Sequence, residues 1–86
     1  LIANDGAVLI ADTFNHRVRR YDPFTKTIAA FAGTGKKGYA GDDGQSLTAQ
    51  FDQLYALALD RTRNFLYVCD LGNRRVRSIS ASNSII

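Results

Sequence analysis

The sequence predicts an all-β protein built from short antiparallel strands, and three observations support this. The 86 residues contain eight Asp and no Glu, and Asp, Gly, Asn and Thr favour turns, whereas Glu and Lys favour helices. Apolar runs of about five residues, rich in β-branched and aromatic types, recur along the chain and are bounded by turn residues. One segment, together with the strands around it, also occurs twice.

The repeat has an offset of 58 residues, which places Asp12 on Asp70. Over the eight positions that begin there, the segments DTFNHRVR and DLGNRRVR share five identities without a gap. The preceding strands also correspond, since AVLIAD (7–12) aligns with FLYVCD (65–70). The chain therefore contains one supersecondary unit nearly twice.

Each unit is predicted to be a four-stranded antiparallel meander. In the first unit, LIA (1–3) is the visible part of one strand, AVLIA and RVRRY form a hairpin, and TIAAFA follows a turn with Pro23. In the second unit, LYALAL (54–59) precedes FLYVC and RVRSI, and SII (84–86) begins a further strand. Sheets whose inner strands are apolar on both faces need cover on both sides, which the radial packing of a β-propeller provides.

The same units define the domain organisation. We expect a blade over residues 1–33 with a truncated first strand, a Gly-rich connector between blades over 34–53, and a second blade over 54–86 with a truncated last strand. Two blades do not close a ring, because propellers have about 4 to 8 blades. A fragment of a longer propeller is therefore expected, with self-assembly of several copies as the alternative.

These segments resemble the NHL-repeat family of β-propellers over essentially the whole chain. The resemblance is carried by the core Asp-x-x-Asn-x-Arg-Val-Arg, present at 12–19 and 70–77, and by the connector GTGKKGYAGDDGQSLTAQF. It implies a ring of six blades in which the core motif closes the hairpin between the second and third strands. The residues expected to have this structural role are Asp12, Asn15, Arg17, Asp70, Asn73 and Arg75.

The connector begins with GTGKKG, which matches the G-x-G-x-x-G pattern of dinucleotide-binding folds. In those folds a helix follows and its N-terminus meets the pyrophosphate, but YAGDDGQS follows here, without helical periodicity. We therefore interpret the segment as a linker whose glycines permit positive φ. A short helical turn around SLTAQF would place Leu47 and Phe51 on the same side.

Further candidates for chemistry are Asp42 and Asp43 in the connector and Cys69 in the second blade. Asp42 and Asp43 could bind calcium, but a calcium loop alternates more oxygen ligands, so we expect both to cap the loop by accepting backbone N–H bonds. The single cysteine, Cys69, cannot form an intrachain disulfide, and its alignment with Ala11 predicts a small core residue. A single cysteine does not indicate whether the chain resides in an oxidising or a reducing compartment.

The arginines of the repeat have both a structural and a functional interpretation. Arg17 and Arg75 are expected to pair with Asp12 and Asp70 across the hairpins, which would fix the geometry of the turns. Alternatively, a basic rim on one face of the disc would attract nucleic acid or an acidic partner, in keeping with the net charge of +3. The rim would consist of His16, Arg19, Arg20, Arg74 and Arg77.

The resemblance implies a non-catalytic interaction module or scaffold, because NHL propellers present loops of a rigid disc to proteins and, in some members, to RNA. We expect a protein partner, with RNA as the alternative, and no membrane partner, because no apolar run approaches about 20 residues. The remaining blades would come from the same chain or from other copies. The candidate binding residues are Phe14, His16, Arg20 and Arg74 in the hairpins, and Lys36, Lys37 and Tyr39 in the connector.

The alternative function is part of a propeller enzyme that resembles metal-dependent lyases or hydrolases. The sequence itself predicts no catalytic residue, metal site or cofactor. Catalysis or metal binding by His16, the one histidine, would need neighbours from elsewhere, so the active site of such an enzyme would lie mostly in other blades. The sequence therefore favours the interaction module over the enzyme.

Overall fold

The computed structural model describes residues 1–81 and 86, and this part of the chain is all-β, as the sequence predicts. Three one-turn 3₁₀-helices, Thr13–Asn15, Ser46–Thr48 and Leu71–Asn73, accompany the strands. No helix in the described residues has the length and hydropathy that crossing a bilayer requires. The strands are β1 (Val8–Asp12), β2 (Arg17–Asp22), β3 (Thr27–Ala32), β4 (Leu54–Asp60), β5 (Phe65–Asp70) and β6 (Arg75–Ser80).

The strands form two antiparallel sheets in chain order, β1-β2-β3 (the first sheet) and β4-β5-β6 (the second sheet). The expected four-stranded meander is thus seen as three strands in each unit. In the first unit, Ile2 adds a single antiparallel bridge to Val8, because only three residues precede the turn at Asn4 and Asp5. The strand predicted over 84–86 falls outside the described residues except at Ile86.

The hydrophobic core lies between the two sheets and is closed by the connector. β1 packs against β4, and Ala49 and Phe51 of the connector are as buried as the strand residues beside them. A core shared by two small sheets is physically reasonable, because neither sheet alone buries enough apolar surface for stability. The buried strand residues are Leu9, Val18, Ala32, Leu54, Leu66, Val68 and Ile79.

The two copies of the repeat lie in different environments. Leu66, Val68 and Ile79 of the second sheet face the first sheet and are fully buried. The equivalent position to Val68 in the first sheet is Ile10, which is 38% exposed. Side chains alternate between the faces of a strand, and the first sheet uses its other face, with Leu9, to cover the second sheet. One copy of the motif is therefore covered and the other is not.

The connector folds back on itself instead of running directly between the sheets. Ala40 forms an antiparallel bridge with Gln50, and Lys37 forms a parallel bridge with Phe51. This arrangement brings both ends of the connector to the hairpins of the two sheets, as the contacts below show.

Two expectations about individual residues are wrong. Leu47 is exposed and Phe51 is fully buried, because the turn at Ser46–Thr48 is 3₁₀ and Ala49 after it is extended, so the spacing of an α-helix does not apply. Cys69 is half-buried, not a core residue. It shares the outer face of β5 with Tyr67, and no part of the described chain covers that face.

Candidate interaction surface

The two hairpins of the repeat have the same backbone geometry. In the first hairpin (β1–β2), Asp12 precedes the 3₁₀ turn and His16 follows it in the left-handed region, at φ 54° and ψ 43°. In the second hairpin (β5–β6), Asp70 and Arg74 occupy these positions, and Arg74 has φ 56° and ψ 43°. The hairpins therefore share a left-handed backbone position after the turn, occupied by His16 in the first and by Arg74 in the second.

In each hairpin the Asn side chain returns to the Asp carboxylate three residues before it. Asn15 Nδ2 lies 3.0 Å from both carboxylate oxygens of Asp12. Asn73 Nδ2 donates to Asp70 Oδ2 over 2.8 Å and also to the carbonyl oxygen of Gly38 over 2.8 Å. The Asp-x-x-Asn spacing therefore closes the turn, and in the second hairpin it also holds the connector.

The arginine that pairs with Asp12 is Arg19, so the prediction that Arg17 would do so is wrong. Arg19 Nε lies 2.6 Å from Asp12 Oδ2, and this hydrogen bond is the main cause that lowers the pKa of Asp12. Arg17 lies directly opposite Asp12 in the register, about 5 Å away, but its guanidinium is directed towards the start of the connector. Its Nη2 instead donates to the carbonyl oxygen of Thr34 over 3.1 Å.

The prediction that Arg75 would pair with Asp70 in the second hairpin is also wrong. Arg77 Nη1 lies 3.3 Å from Asp70 Oδ2, whereas Arg75, opposite Asp70 in the register, places its guanidinium 4.5 Å from the ring centre of Tyr39. The arginine two residues further along the strand is a diagonal neighbour at about 7–8 Å, a distance that its side chain can span. The ion pair of the motif therefore joins its first and last residues.

Arg77 is the most highly connected side chain at the junction of the connector and the second sheet. It is 3% exposed, and each of its three nitrogens donates at least one hydrogen bond. Nε donates to Asp42 Oδ1 over 3.0 Å, Nη2 donates to the Ala40 carbonyl over 2.8 Å and lies 2.9 Å from Asp42 Oδ1, and Nη1 donates to the Gln50 carbonyl and to Asp70. A buried guanidinium with an ion-pair partner and hydrogen bonds from every nitrogen avoids the penalty of an unsatisfied buried charge.

Tyr39 and Asp42 hold the connector against this arginine. The Tyr39 hydroxyl donates to Asp42 Oδ2 over 2.9 Å, and the Arg77 guanidinium carbon lies 5.0 Å from the Tyr39 ring centre and 4.7 Å from that of Phe51. Burial raises the pKa of Asp42, but the hydrogen bonds from Tyr39 and Arg77 together outweigh it, so the pKa is lowered.

The expected role of Asp42 as a cap for backbone N–H groups is therefore wrong. Its two carboxylate oxygens are used by the Tyr39 hydroxyl and the Arg77 guanidinium. A charged guanidinium is a stronger donor than a neutral backbone N–H. For Asp43 the structure shows a backbone contact, in which its N–H donates to the carbonyl oxygen of Ile86 over 2.8 Å.

The two hairpin tips and both ends of the connector lie at one edge of the sheets, here called the hairpin edge. His16 Nδ1 accepts a hydrogen bond of 3.0 Å from the backbone N–H of Gln53, and the N–H of Gly72 donates to the carbonyl oxygen of Asp52 over 2.8 Å. Together with the hydrogen bond from Asn73 to the Gly38 carbonyl and the bridge between Lys37 and Phe51, these contacts place five of the seven candidate binding residues at this edge. They are Phe14, His16, Lys36, Lys37 and Arg74.

The other two candidates are engaged elsewhere. Arg20 is the fourth residue of β2, roughly 10 Å from the hairpin at 3.3 Å per residue, and its Nη2 lies 2.8 Å from Asp5 Oδ2 at the opposite edge. That hydrogen bond is the main cause that lowers the pKa of Asp5 and raises the pKa of Arg20. Tyr39 holds the connector to Arg77, as described above.

The hairpin edge also has an exposed apolar component. Phe14 is 87% exposed at the tip of the first hairpin, and Leu71 is exposed in the turn of the second. Sequence reasoning did not identify Leu71, although an apolar residue directly after the Asp of the motif was a signal that could have done so. The edge therefore combines two apolar side chains with Lys36, Lys37 and Arg74.

Two small antiparallel sheets that pack face to face, each with the same hairpin, define propeller-type blades of a repeat protein. No family model matches the chain. It is 38% identical over 79 residues to "Protein SUPPRESSOR OF QUENCHING 1, chloroplastic" of Arabidopsis thaliana. It is 28% identical over 78 residues to "NHL repeat-containing protein 2" of Gallus gallus and of Bos taurus.

These matches cover 92% and 90% of the chain but only 7% and 10% of the relatives' own lengths. The chain is related to the NHL-repeat proteins, as its repeated motif predicts.

Proposed function

We propose that the chain is a non-catalytic interaction module whose hairpin edge binds a partner protein. The observation that carries this proposal is Phe14, an aromatic side chain that is 87% exposed at the tip of the first hairpin, in the turn that His16 follows. Binding energy at protein interfaces is concentrated in a few aromatic and arginine side chains. An acidic segment with an apolar anchor residue matches this combination.

The backbone under the exposed side chains is well supported, which favours binding. The first hairpin is tied to Gln53 through His16, and the second is tied to Asp52 through Gly72 and to Gly38 through Asn73. Segments that are ordered before binding lose less conformational entropy in the complex than flexible loops do.

The distribution of the arginines favours a protein over RNA. Within the described residues, four of the eight arginines form ion pairs with Asp, and two more donate to backbone carbonyl groups. Phosphate binding depends on cations that are free to replace counterions. Six of the eight arginines are therefore committed to internal contacts, which disfavours an arginine-based phosphate-binding surface.

Selection of displayed peptides on the immobilised chain tests the proposal. We expect enriched peptides that combine acidic and apolar residues, and their binding should be lost in Phe14→Ser. The matched control is Phe24→Ser, which removes a ring that is 85% exposed in the turn between β2 and β3, at the opposite edge. Equal loss in both variants, or no enrichment, would overturn the proposal.

A fluorescent oligouridylate measured at several salt concentrations tests the RNA alternative on the unchanged chain and on two further variants, Lys36→Ala and Lys37→Ala. Salt-dependent binding that is lost in Lys36→Ala and Lys37→Ala, without peptide enrichment, would assign the edge to RNA instead.

A further inference from the structure

The sequence contains two Asp-Gly dipeptides, and both lie in turns. They are Asp5-Gly6, before the first sheet, and Asp43-Gly44, in the connector. In each dipeptide the glycine N–H donates to the carbonyl oxygen three residues earlier, over 3.0 Å for Gly6 and 3.2 Å for Gly44. The backbone nitrogens that follow the two aspartates are therefore hydrogen-bonded in the same way.

The carboxyl groups of the two aspartates differ in their contacts. Asp5 Oδ1 accepts the backbone N–H of Ala7 over 3.0 Å, and Asp5 Oδ2 lies 2.8 Å from Arg20 Nη2. The hydrogen bond from Arg20 is the main cause that lowers the pKa of Asp5, so this carboxyl is kept ionised. Asp43 is exposed, and its carboxyl has no hydrogen-bond or ion-pair partner within residues 1–81 and 86.

The backbone at Asp43 also leaves its carboxyl able to react with the next nitrogen. Gly44 has no Cβ to hinder an approach, and a Cβ added there would have the carbonyl oxygen of Gly41 as its nearest neighbour, at 3.4 Å. Asp43 itself has φ 65°, a left-handed conformation that is unfavourable for an L-residue. A rearrangement of the backbone at Asp43 is therefore not opposed by a favourable local conformation.

We propose that Asp43-Gly44 is a site of spontaneous aspartate isomerisation and that the contacts of Asp5 protect Asp5-Gly6 from the same reaction. The Gly44 nitrogen attacks Cγ of Asp43, a C–N bond forms, and the amide proton leaves with the carboxyl hydroxyl as water. Water then opens the cyclic succinimide at the main-chain carbonyl of Asp43 and breaks the bond from that carbon to the nitrogen. The product is an isoaspartyl linkage through the side chain, with a new α-carboxylate and no net change in mass.

The protection of Asp5 follows from the same chemistry. The leaving group is a hydroxyl, and a carboxylate that Arg20 keeps ionised has no hydroxyl to lose. The hydrogen bond from Ala7 also holds Asp5 Oδ1, so the carboxyl does not turn freely towards the Gly6 nitrogen.

The modification acts on the junction between the connector and the second sheet. The isoaspartyl linkage adds one backbone atom immediately after Asp42, whose carboxylate lies 2.9 Å from the Arg77 guanidinium. A longer backbone at this point shifts the connector relative to Arg77. The modified chain should therefore be less stable than the unmodified one, a property separate from partner binding at the hairpin edge.

The test is incubation of the 86-residue chain at neutral pH and physiological temperature, with the isoaspartate at each site measured over time. Trypsin places the two dipeptides in different peptides, 1–17 and 38–61. Liquid chromatography separates isomers of equal mass, and electron-transfer fragmentation locates the isoaspartate. We expect it to accumulate severalfold faster at Asp43 than at Asp5, whereas the two rates should be similar in urea. Equal rates in the folded chain, or a faster rate at Asp5, would overturn the proposal.

Two variants test the physical reasons separately. Gly44→Ala should slow isomerisation at Asp43 severalfold, because the added Cβ hinders attack by the nitrogen. Arg20→Ala should accelerate the reaction at Asp5 severalfold and leave Asp43 unchanged, and an unchanged rate at Asp5 would show that its contacts do not protect it. After incubation, the melting temperature should fall more in the unchanged chain than in Gly44→Ala. An equal fall would overturn the predicted effect on the junction.

Discussion

The guanidinium of Arg77 lies 2.9 Å from the carboxylate of Asp42, a residue 35 positions earlier in the chain. Arg77 belongs to the repeated hairpin motif, and Asp42 belongs to the connector between the two sheets. The same arginine also contacts Asp70 of its own hairpin. One buried cation thus holds the hairpin and the connector together, and this links the repeated motif to the packing of neighbouring units.

Replacement of Arg77 by Ala should destabilise the chain by about 3–5 kcal/mol, because it leaves the buried Asp70 carboxylate without its cation. The control is Arg19→Ala, which removes the equivalent, partly exposed ion pair and should cost about 0–1 kcal/mol. Urea unfolding followed by circular dichroism measures both. Similar losses in the two variants would show that burial by the connector contributes little.

Replacement of Gly33 by Ala should destabilise the chain by about 1–3 kcal/mol, since a left-handed backbone and a close contact coincide there. Gly33 has φ +93°, and an added Cβ would lie 2.7 Å from the carbonyl oxygen of His16. Gly44→Ala is the control, because the nearest atom to its added Cβ would be 3.4 Å away, and its cost should stay near about 0.5 kcal/mol. Thermal melting distinguishes the two, and equal melting temperatures would contradict the prediction.

Replacement of Arg74 by Gly should stabilise the chain by about 0.5–1 kcal/mol. Arg74 has φ 56°, and left-handed geometry costs an L-residue about 1–2 kcal/mol, more than the entropy that glycine adds to the unfolded chain. Arg74→Val should be destabilising, because a β-branched residue fits this region worst. Chemical denaturation of both variants checks the order, and a less stable glycine variant would mean that the Arg74 side chain makes a favourable contact.

Asp42→Asn should lower stability at neutral pH by about 1 kcal/mol, discounted because the carboxyl is partly exposed. The pKa of Asp42 in the folded chain lies below its ordinary value of 3.8. The ionised group therefore contributes its full stability above about pH 4, and the contribution is lost as the pH falls through the folded pKa. The difference between the two chains should shrink below pH 4 in unfolding curves, and a constant difference down to pH 2 would rule out ionisation of Asp42 as the cause.

The fold was predictable because its determinants are local in the sequence. The absence of Glu, the short β-branched runs and the turn residues indicated strands and hairpins, and the offset of 58 residues between Asp12 and Asp70 revealed the repeat. The candidate surface was predictable in part. Phe14, His16 and Arg74 lie in turns whose position follows from the strand pattern, whereas the contacts of Arg20 and Tyr39 depend on residues in other elements.

The sequence by itself determined the all-β class, the repeated Asp-x-x-Asn hairpin and the relation to NHL-repeat proteins, since strand periodicity and turn chemistry act over a few residues. Only the tertiary structure decided that Arg19 and Arg77 carry the ion pairs, that Asp42 binds Arg77, and that Cys69 is half-buried. The two ion pairs join residues seven positions apart, but they depend on the diagonal contact across each hairpin. The Asp42–Arg77 contact joins residues 35 positions apart, and the exposure of Cys69 depends on which face of the second sheet is covered. The two copies of the motif differ because the connector packs on the second copy and buries it, whereas the first copy is partly exposed in the described part of the chain.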